Sequence, residues 1–391
     1  MRTVDTAERR ARLSIRHRLA PGHVAADALE VARSLVALHA TDPPTEVLSA
    51  RSRTVGLTTD AVETALHRDR TLIRVLAMRR TLWVVPRELL PAVLAGAADR
   101  VAAAERRRLA MEVERAGLHD DGLAWLDAAS AQVLDVIGAD ELTSTELRSR
   151  APLLEGRLEY GAGKSWGGIA AVAPRVLTVM CAEGRLLRAT NDGGWYVSRP
   201  RYAATEHWLG HPLDAPRSID HAVDELIAAW LRSFGPGTED DLVWWLGSTK
   251  ARVRGALARL GAVQVGLDEG RTGFLLPDDL EVVESPGPWV ALLPVLDPTT
   301  MGWKDRDWYV GEHRSLLFDS AGNAGATIWS DGAVVGGWWQ LEDGTVRTEL
   351  LEDIGAEATA EVEQQAAELT TWFAGRRVMP RFPSPLSTAR P

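Results

Sequence analysis

Apolar residues recur at three- and four-residue spacing in blocks that Pro and Gly interrupt, and this pattern predicts a largely helical chain. A first helix is expected over 3–19, closed by Pro21-Gly22. A second is expected over 25–39, with Leu29, Ala32, Leu35, Val36 and Leu38 on one stripe, stopped by Pro43-Pro44. Short helices follow over 45–53 and over 61–67, the latter capped by Thr58-Thr59-Asp60. Two β-like runs, Thr71-Leu72-Ile73-Arg74-Val75-Leu76 and Thr81-Leu82-Trp83-Val84-Val85, flank Met78-Arg79-Arg80, and 86–118 reads as helix again.

The next stretch repeats an order: a helix over 128–137, a Thr143-Ser144-Thr145-Glu146 capping box opening a short helix, and a longer helix over 166–183. A two-stranded wing then turns at Asn191-Asp192-Gly193-Gly194 and returns through Trp195-Tyr196-Val197. The order recurs as a helix over 219–234, a Thr238-capped helix over 239–246, a helix over 248–260, and a hairpin about Asp268-Glu269-Gly270. Such units resemble winged helices, a helix-turn-helix variant, and the first third fits as another copy. From Trp289 the period approaches two, and Asp331-Gly332 and Asp343-Gly344 predict hairpins in a C-terminal antiparallel β module. The expected fold is mainly α with β, with three tandem winged-helix units and a C-terminal module. The expected divisions are 1–118, 119–212, 213–285 and 286–379, with a flexible tail over 380–391.

Charge adds a polarity that the net value of −10 hides. Residues 1–110 hold 19 Arg against 12 Asp and Glu, so the remainder is strongly acidic. A basic third on an acidic body points to a polyanion partner on one side. A solvated helical surface with clustered arginines would look the same. One Cys in 391 residues excludes a disulfide scaffold and fits a reducing compartment, and no signal peptide or membrane span is expected. Seven of the 15 Trp fall between Trp289 and Trp372, where sheet packing is the expected role.

Candidate chemistry is sparse. Gly161-Ala162-Gly163-Lys164-Ser165 resembles the end of a P-loop, but Leu158 stands where its first Gly belongs. A phosphate-holding turn, with Lys164 and Ser165 on DNA backbone, fits better. His207, His211 and His221 have no evident carboxylate or thiol to complete a zinc site. His39, Thr41 and Asp42 sit together where an apolar run meets Pro43-Pro44, and such a cluster could position a water and stabilise a developing cation. Capping chemistry at a helix end would use the same residue types.

Several motifs carry a resemblance across nearly the whole chain. They are Leu38-His39-Ala40-Thr41-Asp42-Pro43-Pro44, Met78-Arg79-Arg80-Thr81-Leu82-Trp83-Val84-Val85-Pro86, Gly163-Lys164-Ser165-Trp166-Gly167-Gly168 and Gly235-Pro236-Gly237-Thr238-Glu239-Asp240-Asp241-Leu242. Leu293-Pro294-Val295-Leu296-Asp297-Pro298, Trp303-Lys304-Asp305-Arg306 and His313-Arg314 extend it. With them the chain resembles the winged-helix bacterial DNA glycosylases of the AlkZ and YcaQ type, which excise bulky alkylated bases and unhook interstrand crosslinks. The resemblance implies a C-shaped arrangement and a monofunctional, metal-independent glycosylase acting on double-stranded DNA. It implies no cofactor, and a monomer in the cytoplasm, associated with the nucleoid. Relatives carry Gln-x-Gln or Gln-x-Asp where this chain has His39-Ala40-Thr41. Here His39 is expected to position water with Thr41 and Asp42 assisting, and Arg79, Arg80, Lys164, Ser165 and Arg306 to contact DNA backbone. The alternative is a non-catalytic winged-helix DNA-binding protein, a regulator or lesion sensor.

Overall fold

The computed structural model describes residues 2–160, 167–214 and 217–389. Asp5 and Asp27 cap helices Thr6–Arg16 and Ala28–Ser34 through side-chain bonds to the Glu8 and Glu30 N–H groups. The second helix is shorter than its apolar stripe predicts. The chain leaves it through Leu35 and a left-handed Val36 (φ 64°), and Leu38–His39 becomes a strand. That strand pairs with the hairpin strand Thr81–Pro86, Leu38 opposite Val84 and His39 opposite Trp83. Burial of the Leu35 to Ala40 run on every side suits a strand inside a core, and an apolar run that short does not separate strand from helix. Pro43-Pro44 opens the next helix, Pro43–Arg51, rather than ending the previous one. Proline in a first helical turn loses no intrahelical hydrogen bond.

The hairpin Leu72–Ala77 with Thr81–Pro86 forms in the expected register, Leu72 opposite Pro86 and Ala77 opposite Thr81. Its turn holds Arg79 and Arg80 at φ 56° and 63°, a conformation unusual for side chains with a Cβ. The helical region after it is interrupted. A wide turn over Leu94–Ala98 precedes helix Asp99–Arg115, and Gly96 there lets the chain close onto helix Ile219–Phe234.

The second unit contains the expected Thr143–Glu146 capping box on helix Ser144–Arg150, and its first helix, Gly122–Ile137, begins six residues before the expected 128. The helix expected over 166–183 starts later, at Ala173. Strand Arg157–Tyr160 pairs with Gly168–Ala171 before it, and Pro174 occupies the first turn. Gly167-Gly168 favours extended chain over helix. The wing strand Leu186–Asn191 returns through Pro200–Ala204, not through Trp195-Tyr196-Val197. Trp195 instead packs edge-on against Trp372, 5.4 Å between ring centroids. The third unit matches its reading closely. It comprises Ile219–Phe234, a Thr238–Asp241 capping box on Glu239–Leu246, Lys250–Arg259, and strands Val263–Gly266 and Thr272–Leu275. The N-terminus adds to this unit, since the Val4 N–H donates to Gly266 O at 2.9 Å.

The C-terminal module is a four-stranded antiparallel sheet in the order Val290–Leu293, Thr327–Ser330, Ala333–Gln340, Val346–Leu350, followed by helix Ala356–Phe373. Its tryptophans are core residues: Trp303 and Trp329 are fully buried and Tyr309 contacts both. The tail is not loose. It forms helix Pro385–Ala389, with Ser384 and Leu386 buried, because Leu386 finds a bed on Gly337. No helix among the described residues is long and apolar enough to cross a membrane.

One continuous core joins the first unit, the third unit and the C-terminal module and takes in Leu187, Ala189, Trp195 and Trp208 of the second unit, which has a further core around Leu126, Val133, Leu147 and Val176. At the centre of the larger core lies an ion pair with no exposed surface. Arg53 Nη2 meets Asp297 Oδ1 at 2.7 Å and Nη1 meets Oδ2 at 2.9 Å. The remaining donors go to Ser49 O, Thr299 Oγ1 and His17 O, and Ser49 Oγ donates to Asp297 Oδ2. His17 continues the network through Thr299 Oγ1 and Ser233 O, which reaches the third unit. Burial and the nearby Arg53 hold His17 well below the ordinary imidazole range. Removing one partner of such a pair strands the other charge in the core. Asp297→Ala is therefore expected to lower the unfolding free energy by about 3–5 kcal/mol, read as a shifted urea midpoint with an unchanged slope.

Candidate active site and nucleic-acid interface

The strand pairing that replaces the expected helix end decides where the polar cluster points. His39 is 2% exposed, its ring 4.6 Å from that of Trp83. Burial, with Arg79 nearby, pushes its pKa down to about 3, so the imidazole is neutral at pH 7. The Thr41 N–H donates to Nδ1 at 3.3 Å, which places the ring proton on Nε2. The expectation that His39 positions a water is thus corrected. Its acceptor nitrogen is taken, and its ring supports the turn from below.

Thr41 is half-buried. Its Oγ1 accepts from the Leu82 N–H at 3.1 Å, leaving one lone pair and the hydroxyl proton. Asp42 is 1% exposed and faces the opposite side, where Pro44, Leu48, Val295, Trp338, Trp339 and Phe373 line an apolar pocket. Its Oδ1 accepts from the Arg381 N–H at 3.1 Å, and its Oδ2 has no hydrogen-bond partner among the described residues. Desolvation pushes its pKa up to about 6 against the lowering effect of Arg381.

On the side of Ala40 and Pro43 a cleft of about 450 Å³ opens between the first and second units. Leu82, Glu46, Glu63, His67 and Arg74 line it from one unit, and Arg188, Thr190, Asn191 and Trp195 from the other. Glu46, in the first turn of helix Pro43–Arg51, is 2% exposed and paired with Arg74, whose Nε lies 3.0 and 3.2 Å from its two oxygens. Arg74 also donates to Ala189 O across the units, at 3.2 Å. Burial, then Asp60, raises the Glu63 carboxyl, and burial with Arg74 and Arg70 pushes His67 down to about 4. The cleft therefore offers two carboxylates, a neutral imidazole and two guanidinium groups. Sequence reasoning missed Glu46 and Glu63. Glu46 follows the cluster by one helical turn, which was a usable signal, whereas the role of Glu63 depends on tertiary contact.

The arginines expected on DNA divide. Arg79 and Arg306, far apart in sequence, come to the same indole: their guanidinium carbons lie 3.9 and 5.0 Å from the centroid of Trp244. Gly247, left-handed at the end of the Trp244 helix, lets the hairpin turn approach, with Arg79 N 3.2 Å from where a Cβ would lie. Burial, with the charge of Arg306, pushes Arg79 down to about 10, and its Nε is buried without a partner. Arg306 is only 3% exposed and donates to Trp303 O and Gly322 O at 2.9 Å each. That corrects its expected exposure: this guanidinium braces the C-terminal module and reaches the interface only through Trp244. Arg80 is exposed and meets Glu105 at 3.1 Å. Lys164 and Ser165, with the Gly-rich turn that holds them, lie outside the described residues.

Much of the basic excess of the first third is absorbed internally. Arg12 binds Glu8 and Asp279, Arg53 binds Asp297, Arg74 binds Glu46 and Arg33 binds Glu88. Of these partners, Asp279 and Asp297 come from later in the chain and the others from the first third itself. Among the described residues, no group of three or more His, Cys, Asp and Glu is placed to hold a metal.

A curated relative, the interstrand DNA cross-link repair glycosylase of Streptomyces sahachiroi, is 26% identical over 258 residues. The match covers 62% of this chain and 65% of that protein. The solved structure of the Streptomyces sahachiroi DNA glycosylase AlkZ superposes with a TM-score of 0.75 at 21% identity, over 96% of this chain and 98% of that one. The fold is the mixed α and β architecture of that structure. A family model described as DNA glycosylase AlkZ-like matches residues 32–372, from the helix before His39 to the last turn before Phe373, and the chain belongs to that family.

Proposed function

We propose that this protein is a monofunctional DNA glycosylase that hydrolyses the N-glycosidic bond of cationic alkylated purines in double-stranded DNA. The observation that carries the reading is the placement of Thr41. Within the family-matched region it is the member of the His39–Asp42 cluster that reaches solvent, between Ala40 and Pro43 of a two-unit cleft lined by the buried Glu46 and the partly buried Glu63. The three helix–helix–hairpin units are read as tandem winged helices, divided near residues 119, 213 and 286, that enclose the duplex in a C.

The chemistry fits those groups. An N7- or N3-alkylated purine leaves as a neutral base, so no acid is needed to protonate it. What remains is to stabilise an oxocarbenium-like sugar and to aim a water at C1′. The free lone pair of Thr41 Oγ1 accepts from that water. Glu46 and Glu63 supply negative potential beside the sugar cation, with Arg74 fixing Glu46. His39, neutral and stacked on Trp83, fixes the Thr41 backbone. Arg79 on Trp244 and the exposed Arg80 face phosphates. Hydrolysis without a Schiff base suits the lysines, since Lys250 and Lys304 are paired with Asp240. The Streptomyces sahachiroi relative is named for interstrand DNA cross-link repair, a bulky substrate compatible with the class proposed here.

Incubation with a duplex containing N7-methylguanine is expected to leave alkali-labile abasic sites. Thr41→Ala and Glu46→Gln are each expected to lower the single-turnover rate by about 10²-fold or more. Tight binding with no abasic product would favour the non-catalytic reading. Arg79→Ala is expected to weaken binding to all duplexes alike and to reduce the slope of log affinity against log salt by about one, measured by fluorescence anisotropy between 50 and 200 mM salt. An unchanged slope would remove Arg79 from the interface.

A further inference from the structure

We infer that Arg381 is a positioning residue of the excision site, and that the segment 380–389 is the clamp that delivers it to the back of Thr41 and Asp42. The inference rests on the role proposed for Thr41. The segment lies beyond the residues that the family model matches, 32–372.

Arg381 bonds two consecutive residues of the cluster. Its backbone N–H donates to Asp42 Oδ1 at 3.1 Å, and its Nη1 donates to Thr41 O at 3.1 Å. Together with the Thr41 N–H on His39 Nδ1 and the Leu82 N–H on Thr41 Oγ1, these bonds engage the N–H, the carbonyl and the hydroxyl of one residue from three different parts of the chain. A threonine on a two-residue strand end has little else to fix it, and a small displacement at a reacting centre is costly in rate.

The segment is seated for this task. Pro380, Pro383 and Pro385 restrict its backbone on either side of Arg381. Val378 N donates to Gln340 Oε1 at 2.8 Å before it, and Ser384 and Leu386 are buried after it. The surface beneath is cut to match. A Cβ on Gly325 would lie 2.4 Å from Ser384 Cβ, and one on Gly337 would lie 3.1 Å from Leu386 Cδ2.

The charge arrangement gives the clamp a signature. The elements packed around Asp42 bring Thr45 and Leu48, Pro294 and Val295, Trp338, Trp339 and Gln340, and Phe373, none of which ionises near neutrality. The charged group that faces Asp42 is the Arg381 guanidinium, and the Arg381 backbone N–H first, then that charge, hold the carboxyl lower than burial alone would. Removing that guanidinium lets the Asp42 pKa climb above about 6, so the carboxylate of the variant protonates at a higher pH as pH falls.

The test uses the full chain with Arg381→Ala and Arg381→Lys. On the N7-methylguanine duplex, Arg381→Ala is expected to lower the single-turnover rate about tenfold while leaving DNA affinity within about threefold. Arg381→Lys is expected to recover most of the rate. In parallel, the Asp42 carboxyl, followed by ¹³C NMR against an Asp42→Asn reference, is expected to titrate at higher pH in Arg381→Ala than in the wild type and to return towards it in Arg381→Lys. An unmoved Asp42 titration overturns the clamp, as does a loss confined to DNA affinity, which would make Arg381 a plain phosphate contact. If the wild type releases no base, the titration decides alone. A shifted titration then upholds the contact between Arg381 and the cluster, while the glycosylase reading fails separately.

Discussion

A guanidinium and a carboxylate with no access to water hold this fold together. Arg53 lies two residues beyond the helix Pro43–Arg51, and Asp297 belongs to the loop after the first strand of the C-terminal sheet. Every other donor of Arg53 goes to oxygen from Ser49, Thr299 or His17, so the charges are both paired and hydrogen-bonded. A pair of this kind adds little net stability over an apolar substitute, but it tolerates no other partner and therefore fixes register between segments distant in sequence. Because it is bonded to Ser49 of the helix that follows the His39–Asp42 cluster, it also fixes where that cluster sits relative to the C-terminal module.

The hairpin Leu72–Pro86 is the second organising element. Its return strand pairs with His39 and places Trp83 against the imidazole, its Leu82 N–H fixes the Thr41 hydroxyl, and its strained turn carries Arg79 to Trp244 of the third unit. Its first strand supplies Arg74, which binds Glu46 and reaches Ala189 in the second unit. One hairpin thus connects the candidate water-positioning residue, the carboxylate beside it and two neighbouring units. This is consistent with left-handed Arg79 and Arg80 being retained at its tip, where strain is offset by surrounding contacts.

Charge follows the same logic of long-range pairing. A basic first third and an acidic remainder look like a polar surface when read along the chain, but several arginines of the first third pair with acids of the remainder. Arg12 with Asp279, Arg16 with Asp279 and Arg53 with Asp297 are examples. Part of the asymmetry therefore serves assembly of the units.

Local chemistry was legible wherever it was self-contained. The capping boxes at Thr143 and Thr238, the Asp331-Gly332 turn and the hairpin flanking Met78-Arg79-Arg80 form as read, because their hydrogen bonds close within a few residues. The cluster His39, Thr41 and Asp42 was legible as a cluster, and the family followed from its setting among the other motifs. What the sequence could not supply was direction. A six-residue apolar run satisfies helix and strand equally, and only the partner strand Thr81–Pro86 made Leu38–His39 extended, turning the imidazole inward and Asp42 to the opposite side. The docking of a proline-rich tail, the pairing of Glu46 with Arg74 and the meeting of Arg79 with Arg306 on one indole each depend on segments tens to hundreds of residues apart. Local periodicity carries no information about such encounters, so tertiary packing alone decided them.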